Sequence, residues 1–319
     1  MTDPLRWDHR PDLRNPLVVV AFEGWNDAGD AASLALAYLA QTWGAERFAS
    51  VDPEEFYDFT ATRPQARLVD GCTRSIDWPE VELLSARIPP AATPIATGTP
   101  PTVGIPPMAG TALPPCISGT TGGKDLILVR GVEPQLRWRT FCSLITSVAV
   151  DYEAEMALIL GALLADVPHT RPVRVSGTAD DEELATRLGL VHSTYEGPTG
   201  IVGVLHHTFT GTGIPSATFW ASVPHYVHQV PSPKAALALV ERSASVIGAP
   251  VNPLELRVAA DEYERQVSER VADDDDAAAY VAQLEEADDT EDDHPALLHD
   301  PERLAEEVER FLRRHGGDA

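Results

Sequence analysis

The chain has 319 residues, 44% of them hydrophobic, and a formal net charge of −25 at pH 7. That length accommodates one α/β core with a helical appendage, since domains usually contain about 100–150 residues and α/β units run larger. The negative charge argues against nucleic acid and anionic membranes as partners, because both are bound through positive patches.

Cysteine usage and hydropathy narrow the class of protein further. Cys72, Cys116 and Cys142 are far apart in the sequence, so we expect neither a disulfide scaffold nor a cysteine-bound metal. No apolar run approaches the roughly 20 residues that cross a bilayer, and the first residues lack the apolar centre of a signal peptide. The sequence therefore predicts a soluble, cytoplasmic protein.

The first clear element is a buried-type apolar run at residues 17–23, which passes through one glycine into an acidic segment. This pattern predicts a strand, a tight turn and a helix, with Asn26 or Asp27 accepting N–H groups of the first helical turn. Asp30 lies where the helix dipole favours negative charge. A phosphate is not expected in this turn, because Glu23, Asp27 and Asp30 would repel it.

The next part of the chain is predicted to be strand-rich and then irregular. Short strands are expected at residues 47–51 and 68–71, and residues 82–88 alternate like an edge or hairpin strand. Residues 89–123 are dominated by Pro, Thr, Gly and Ala with hardly any charge, so they have no apolar face to pack. We expect this segment to be a long disordered surface insertion.

The α/β rhythm then resumes. The predicted elements are a buried strand at 125–131, a helix at 137–152, a strand or buried helix at 157–164, a strand at 173–177, a short helix at 180–189, strands at 201–205 and 216–221, and a helix that Ser232 caps, Pro233 opens and Gly248 ends. Strands that alternate with helices predict a three-layer α/β/α sandwich with a mainly parallel sheet.

The C-terminal region differs from the core in charge and in predicted structure. From Asp261 onward there are 21 acidic and 6 basic residues, which give −15 of the total charge. Helices are predicted at 253–270, 276–287 and 301–314, with an acidic linker at 288–293. We expect this tail to pack on the core through its leucines and tyrosines, with its carboxylates left in water. The side chains predicted to pack are Leu254, Leu256, Tyr263, Tyr280 and Leu284.

The resulting division has three parts. We predict an N-terminal tail at 1–15, an α/β/α core domain at 16–250 and an acidic helical region at 251–319.

Three sequence patterns superficially resemble ligand-binding sites but lack residues that such sites need. Residues 118–125 lack the first glycine and the Ser or Thr after lysine that a phosphate loop needs. The acidic run at 273–276 lacks the alternating ligands of a calcium loop and fits a solvated helix start. The pairs His206–His207 and His225/His228 have no further ligand at customary spacing, and neighbours on a strand face opposite ways. We predict neither a metal nor a cofactor.

Residues 195–200 are different, because two glycines and a proline fix a backbone shape while Tyr, Glu and Thr offer groups for recognition. The carboxyl ends of parallel strands meet at one edge of a sheet, so residues after several strands could converge there. Three interpretations stay open: a subunit or partner interface, a small-molecule pocket, and a purely structural turn. The candidate residues are Glu23, Trp25, Asp27, Asp30, Glu133, Trp138, His169, Tyr195, Glu196, Gly197, Thr199, His225 and Tyr226.

An ordered set of motifs carries a family resemblance between about residues 16 and 233. After residues 17–32 these are GVEP at 131–134, WRTF at 138–141, LADVPHTRP at 164–172, SGTA at 176–179, YEGPTGI at 195–201, FWASVPHY at 219–226 and PSPKA at 231–235. The set resembles the actinobacterial type of the proteasome assembly chaperone family, in the branch named after the second chaperone subunit.

The resemblance implies an α/β/α fold, a homo-oligomer and a non-enzymatic chaperone-like role in assembling the proteasome core particle, with proteasome subunits as partners. The alternative is an ATP-dependent carboxylate–amine ligase or another small-molecule-binding enzyme. Against this alternative stand the missing phosphate loop, the presence of only two lysines and the lack of a recognisable pair of magnesium carboxylates.

One feature of the family pattern is missing. Chaperones of this kind often dock on the proteasome through a C-terminal hydrophobic–tyrosine–any motif, whereas the sequence here closes with His315, two glycines, Asp318 and Ala319. We therefore expect any docking to use another surface.

Overall fold

The computed structural model describes residues 4–69, 73–88, 123–190 and 196–292. The predicted insertion at 89–123 lies outside these ranges except for Gly123, and so do Tyr195 and the predicted helix at 301–314. The predicted division at 1–15, 16–250 and 251–319 stays a prediction.

The elements follow in chain order. They are β1 Leu5–Trp7, β2 Leu17–Glu23, α1 Ala31–Thr42, β3 Glu46–Val51, β4 Gln65–Val69, β5 Thr73–Asp77, β6 Val81–Ile88, β7 Lys124–Val132, α2 Trp138–Asp151, β8 Met156–Ala165, β9 Val175–Ala179, α3 Glu182–Leu188, α4 Ile201–Thr210, β10 Ser216–Pro224, α5 Pro233–Ile247, α6 Leu254–Ala272 and α7 Asp275–Asp292. Strands β4 and β5 form a separate two-stranded sheet.

The main sheet has the strand order β1-β3-β6-β7-β2-β8-β10-β9. The four strands β7, β2, β8 and β10 pair in parallel, and the strands on both flanks pair antiparallel. The sheet is therefore mixed, with its parallel part at the centre. Strand β6 lies between β3 and β7, so of the two predicted alternatives the edge strand is wrong, whereas its antiparallel pairing with β7, the next strand in the chain, agrees with a hairpin strand. Most of its side chains are at least half-buried, as an interior position requires.

Strand β2 explains why the sheet carries helices on both faces. Leu17, Val19 and Ala21 belong to one apolar cluster, and the alternating Val18 and Val20 belong to another. Helices α1, α3 and α5 cover the first cluster, and α2 and α4 cover the second. A strand buried on both faces reads as a continuous apolar run, which is how the sequence presents it. The predicted three-layer α/β/α fold is confirmed.

The prediction of a strand at residues 201–205 is wrong, because these residues begin helix α4. Ile201, Leu205 and Phe209 are fully buried at helical spacing. They pack on the sheet face that α2 also covers. The β-branched residues around Gly203 favour a strand locally, but burial of this apolar stripe decides the structure.

In its described part, up to Asp292, the C-terminal region forms the helices α6 and α7, which turn back at Asp273 and Asp274, and α6 packs along α5. The prediction of an acidic linker at 288–293 is wrong within the described residues, because α7 continues to Asp292. Among the described residues, no helix combines the length and the apolar character needed to cross a membrane.

Candidate functional site

The carboxyl ends of the four parallel strands meet at one edge of the sheet, and all the described candidate residues lie along or near it. They do not form one site. One group, which we name the Glu133 clamp, joins the turn at residues 24–27 to Glu133 and to the start of α4 at Gly200 and Ile201. The other, which we name the tail interface, joins the connection at residues 166–174 and the turn at 225–228 to α6 and α7.

In the clamp, a single carboxylate holds two backbone segments. Glu133 Oε2 accepts the N–H of Trp25 at 3.1 Å, and Oε1 accepts the N–H of Ile201 at 3.3 Å. The N–H of Glu133 in turn donates to the carbonyl oxygen of Glu23 at 2.8 Å. A carboxylate at the start of α4 also meets the positive end of the helix dipole. Glu133 therefore fixes the β2 turn and α4 relative to each other.

Two glycines make this close approach feasible. Gly24 has φ +129°, and a Cβ there would lie 3.1 Å from the Cβ of Glu133. A Cβ on Gly200 would lie 2.2 Å from the side-chain nitrogen of Asn26. A larger residue at either position would push against the clamp, so both glycines are explained by packing.

Behind the clamp lie two buried polar side chains that are incompletely hydrogen-bonded. Asn26 is 3% exposed, and neither polar atom of its side chain has a partner. Asp27 Oδ1 caps α1 by accepting from Ala32 N at 2.7 Å and Ser33 N at 3.3 Å, while its Oδ2 has no partner. Burial raises the pKa of Asp27 to about 6. The sequence predicted that Asn26 or Asp27 caps the helix, and in the structure Asp27 caps α1.

The surface around the clamp is apolar at several points. Trp25 is 72% exposed, and Leu136, Leu163 and Leu164 are also exposed although they end or follow strands of the core. The indole N–H of Trp138, by contrast, donates to the carbonyl of Pro134, and its ring packs partly into the core. Exposed apolar side chains on a rigid edge suit contact with another protein surface.

The remaining clamp candidates are solvent-facing. Glu23, Asp30, Glu196, Gly197 and Thr199 are exposed. The last three lie on the segment that leads into α4, whose start is the backbone that Glu133 binds. These exposed groups are accessible to a partner.

The tail interface centres on His169, which is 3% exposed. The Tyr226 hydroxyl accepts the N–H of His169 and lies 2.8 Å from its Nδ1, while Nε2 lies 2.9 Å from Ser268 Oγ on α6. Because the hydroxyl oxygen already accepts one N–H, its proton is free to point to Nδ1, which leaves Nε2 as the donor to Ser268. Burial lowers the pKa of His169, so the ring is held neutral.

His225 lies on the outer side of the same interface. Its Nδ1 is 2.8 Å from Asp166 Oδ1, and the Tyr280 hydroxyl of α7 donates to the same oxygen at 2.9 Å. The rings of His225, Tyr226 and Tyr280 meet edge to face. These residues tie α7 to the ends of β8 and β10.

Most of the described carboxylates of the tail are exposed, as predicted, but several of them pair with cations of the core. Arg171 pairs with Asp289, Arg174 with Asp288, and Lys234 with Glu264. Tyr263 is buried as predicted, but Leu254 is 62% exposed. These partners lie far apart in the sequence, and no local pattern there indicates which cation each carboxylate meets.

The histidine pairs do not assemble a metal site. His206 and His207 lie on α4, so the argument from strand geometry does not apply to them, and His206 Nδ1 is 2.9 Å from Ser216 Oγ. Within the ranges that the structure describes, no group of three or more His, Cys, Asp or Glu side chains could hold a metal ion.

Comparison with known proteins gives the family. A model of the PAC2 family matches residues 21–271. The chain belongs to the PAC2 family. The family expected from the ordered sequence motifs is thereby confirmed. No curated protein sequence matches the chain.

Solved structures of PAC2 relatives share the fold. A PAC2 family protein from Streptomyces avermitilis is 41% identical, covers 83% of this chain and 99% of its own, and superposes with a TM-score of 0.69. A Mycobacterium tuberculosis proteasome-assembly chaperone homologue is 42% identical with the same coverage and a TM-score of 0.68. A second M. tuberculosis protein, of unknown function, is 26% identical, covers 91% of this chain and 92% of its own, and has a TM-score of 0.74.

Proposed function

We propose that this PAC2 protein is a non-enzymatic, self-associating chaperone that assists assembly of the proteasome core particle in the cytoplasm. Support comes from the 42% identity to the M. tuberculosis chaperone homologue over nearly all of that chain. The exposed apolar side chains at the carboxyl edge of the sheet point to a protein partner rather than to an enclosed substrate.

The observation that supports the proposal most directly is that Trp25 has an exposed side chain on a fixed backbone. Its side chain is 72% exposed, yet its backbone N–H is fixed by Glu133. A large amphipathic ring on a fixed backbone loses little conformational entropy when it is buried by a partner, and tryptophan is enriched at the energetic centres of interfaces. We infer that Trp25 is the anchor of the self-association surface or of the surface that captures proteasome subunits.

The test compares Trp25→Ala with Trp78→Ala. Trp78 is 49% exposed and its ring meets Phe59 edge to face in the segment that precedes β6, so it controls for the loss of an exposed indole whose backbone Glu133 does not bind. We expect wild type and Trp78→Ala to be oligomers by light scattering and to capture core-particle subunits of the native host. Trp25→Ala should lose the oligomer or the capture while its melting stays cooperative.

A wild-type monomer at micromolar concentration would contradict self-association. Intact oligomers and unchanged capture in Trp25→Ala would show that the interface lies elsewhere. Tight nucleotide binding measured by calorimetry would instead favour the ligase-like alternative.

A further inference from the structure

The connection after β8 presents three donors to the tail, and we name residues 167–174 the Arg171 loop. Thr170 Oγ1 donates to a carboxylate oxygen of Glu285. Arg171 donates to both carboxylate oxygens of Asp289, at 3.0 and 2.9 Å. Arg174 lies 2.7 Å from a carboxylate oxygen of Asp288. In a chain of net charge −25, this loop gathers positive charge on one side of α7.

The three acceptor residues are spaced so that they share one face of α7. Glu285, Asp288 and Asp289 stand at positions i, i+3 and i+4 of α7, which lie on one face of a helix. Beneath the loop, Asp288 of α7 also borders a cavity of about 10 Å³, room for about one water molecule, between the loop, the end of β10 and Tyr263. The Arg171 loop is thus fitted to a helix that carries three carboxylates with this spacing.

The rest of α7 is packed less closely. In its described part, Val281 is the buried apolar residue, and most other side chains face solvent. A hollow of about 550 Å³ lies between α6, α7 and the segment after β10. It is lined by apolar side chains such as Val227, Val267 and Val271. Besides the contacts of Tyr280, the three carboxylates are therefore the direct contacts that hold the later turns of α7 on the core.

We propose that the Arg171 loop is a docking site for an acidic helix of a partner protein, and that α7 occupies this site in cis. Charge complementarity is the basis for the choice of partner, since each donor of the loop meets a carboxylate. The ion pair of Arg171 and Asp289 is partly open to solvent, with 36% and 62% of the two side chains exposed. Water and salt can reach this pair, so a competing acidic helix can displace α7. This proposal does not depend on the proteasome role.

The experiment uses the full chain and a labelled peptide of residues 275–292 as the probe. In Asp288→Asn/Asp289→Asn, α7 should open, which hydrogen exchange in α7 measures directly. Fluorescence anisotropy should show the peptide binding this variant at least tenfold more tightly than wild type. Adding Arg171→Ala and Arg174→Ala should abolish the gain. Glu241→Gln, which removes one exposed ion pair with Arg257, is the matched control and should behave as wild type.

Five outcomes would overturn the proposal. Unchanged hydrogen exchange in Asp288→Asn/Asp289→Asn would show that the carboxylates do not hold α7. Failure of the peptide to bind the opened variant, or binding that survives loss of both arginines, would remove the loop as the docking site. Equal binding of a peptide with the same composition but scrambled acid positions would show that the loop does not recognise the i, i+3, i+4 spacing of the acids. Formation of oligomers larger than those of wild type, on mixing the variant with wild type, would assign the loop to a second copy of the chain.

Discussion

The Glu133 clamp and the tail interface fasten helices to the same edge of the sheet in opposite ways. The clamp uses one carboxylate, and both of its acceptor bonds go to backbone N–H groups. The tail interface uses several side-chain pairs, of which Arg171 with Asp289 is largely open to water. Backbone donors are fixed by the fold, whereas exposed ion pairs are weak and screened by salt. We therefore expect the clamp to be permanent and the tail to be conditional.

The two regions also differ in how completely their buried polar groups are satisfied. Beside the clamp, Asn26 and Asp27 retain polar atoms without partners. In the tail interface, both ring nitrogens of the buried His169 have partners. A buried polar atom without a partner costs about 1–3 kcal/mol. The clamp side has three such atoms, whereas the tail side has the Tyr263 hydroxyl on α6, so the clamp side carries the larger unfavourable free energy. This contrast gives three predictions.

The largest expected effect is a pH dependence from Asp27. The pKa of its carboxyl is about 6 in the folded protein against an ordinary value of 3.8, so the folded state binds the proton more tightly. The resulting stabilisation is fully present below about pH 4 and is lost as the pH rises through about 6. The unfolding free energy of wild type minus that of Asp27→Asn should fall by about 2 to 3 kcal/mol between pH 4 and pH 7. Urea unfolding at several pH values measures it.

Asp30→Asn is the control for that series. Asp30 is exposed and lies near the same helix start, so its substitution removes one acid there without removing a buried carboxyl. A flat profile for Asp27→Asn would show that burial does not perturb this carboxyl.

A smaller loss is expected when the clamp itself is removed. Glu133→Ala deletes the acceptor of the Trp25 and Ile201 N–H groups, and we expect a loss of about 2 kcal/mol in unfolding free energy. Hydrogen exchange at Ile201 should accelerate. Glu133→Gln keeps one carbonyl oxygen, so its unfolding free energy should lie between those of wild type and Glu133→Ala. Glu196 is an exposed acid beside α4, and Glu196→Ala should have the stability of wild type. Equal stability of wild type and Glu133→Ala would mean that packing alone holds α4.

The sequence predicted those parts of the fold that depend on neighbours along the chain. The strand, turn and helix from β2 to α1 were predictable because a two-sided apolar run meets a glycine and a capping Asp27 within a few residues. The start of α4 was not, because its first five residues include Ile, Val and Gly, which are poor helix formers. Only the later Phe209, at helical spacing from Ile201 and Leu205, distinguishes a helix there.

The candidate site was predicted at the level of the sheet edge but not of its contacts. Glu133 could be placed after a buried strand, and parallel pairing brings that strand beside β2. Its bond to Ile201 depends on how α4 packs, 68 residues later in the chain. The pair of Arg171 and Asp289 joins residues 118 apart, so neither residue's neighbours in the sequence indicate the other. For that reason the sequence suggested a single site at this edge of the sheet, whereas the structure has two clusters of candidate residues.

The smallest effect should come from salt, and it separates the two regions most directly. At 1 M NaCl the screening length falls to about 3 Å, so exposed ion pairs of the tail interface, each worth up to about 1 kcal/mol, should weaken. Hydrogen exchange in α7 should rise with salt, while exchange in α4 should not change, since Glu133 binds fixed backbone donors. Arg171→Ala should raise exchange in α7 at low salt and reduce its further response to salt. Equal protection of α7 at low and high salt would show that apolar packing holds both helices alike, and the contrast between clamp and tail would be lost.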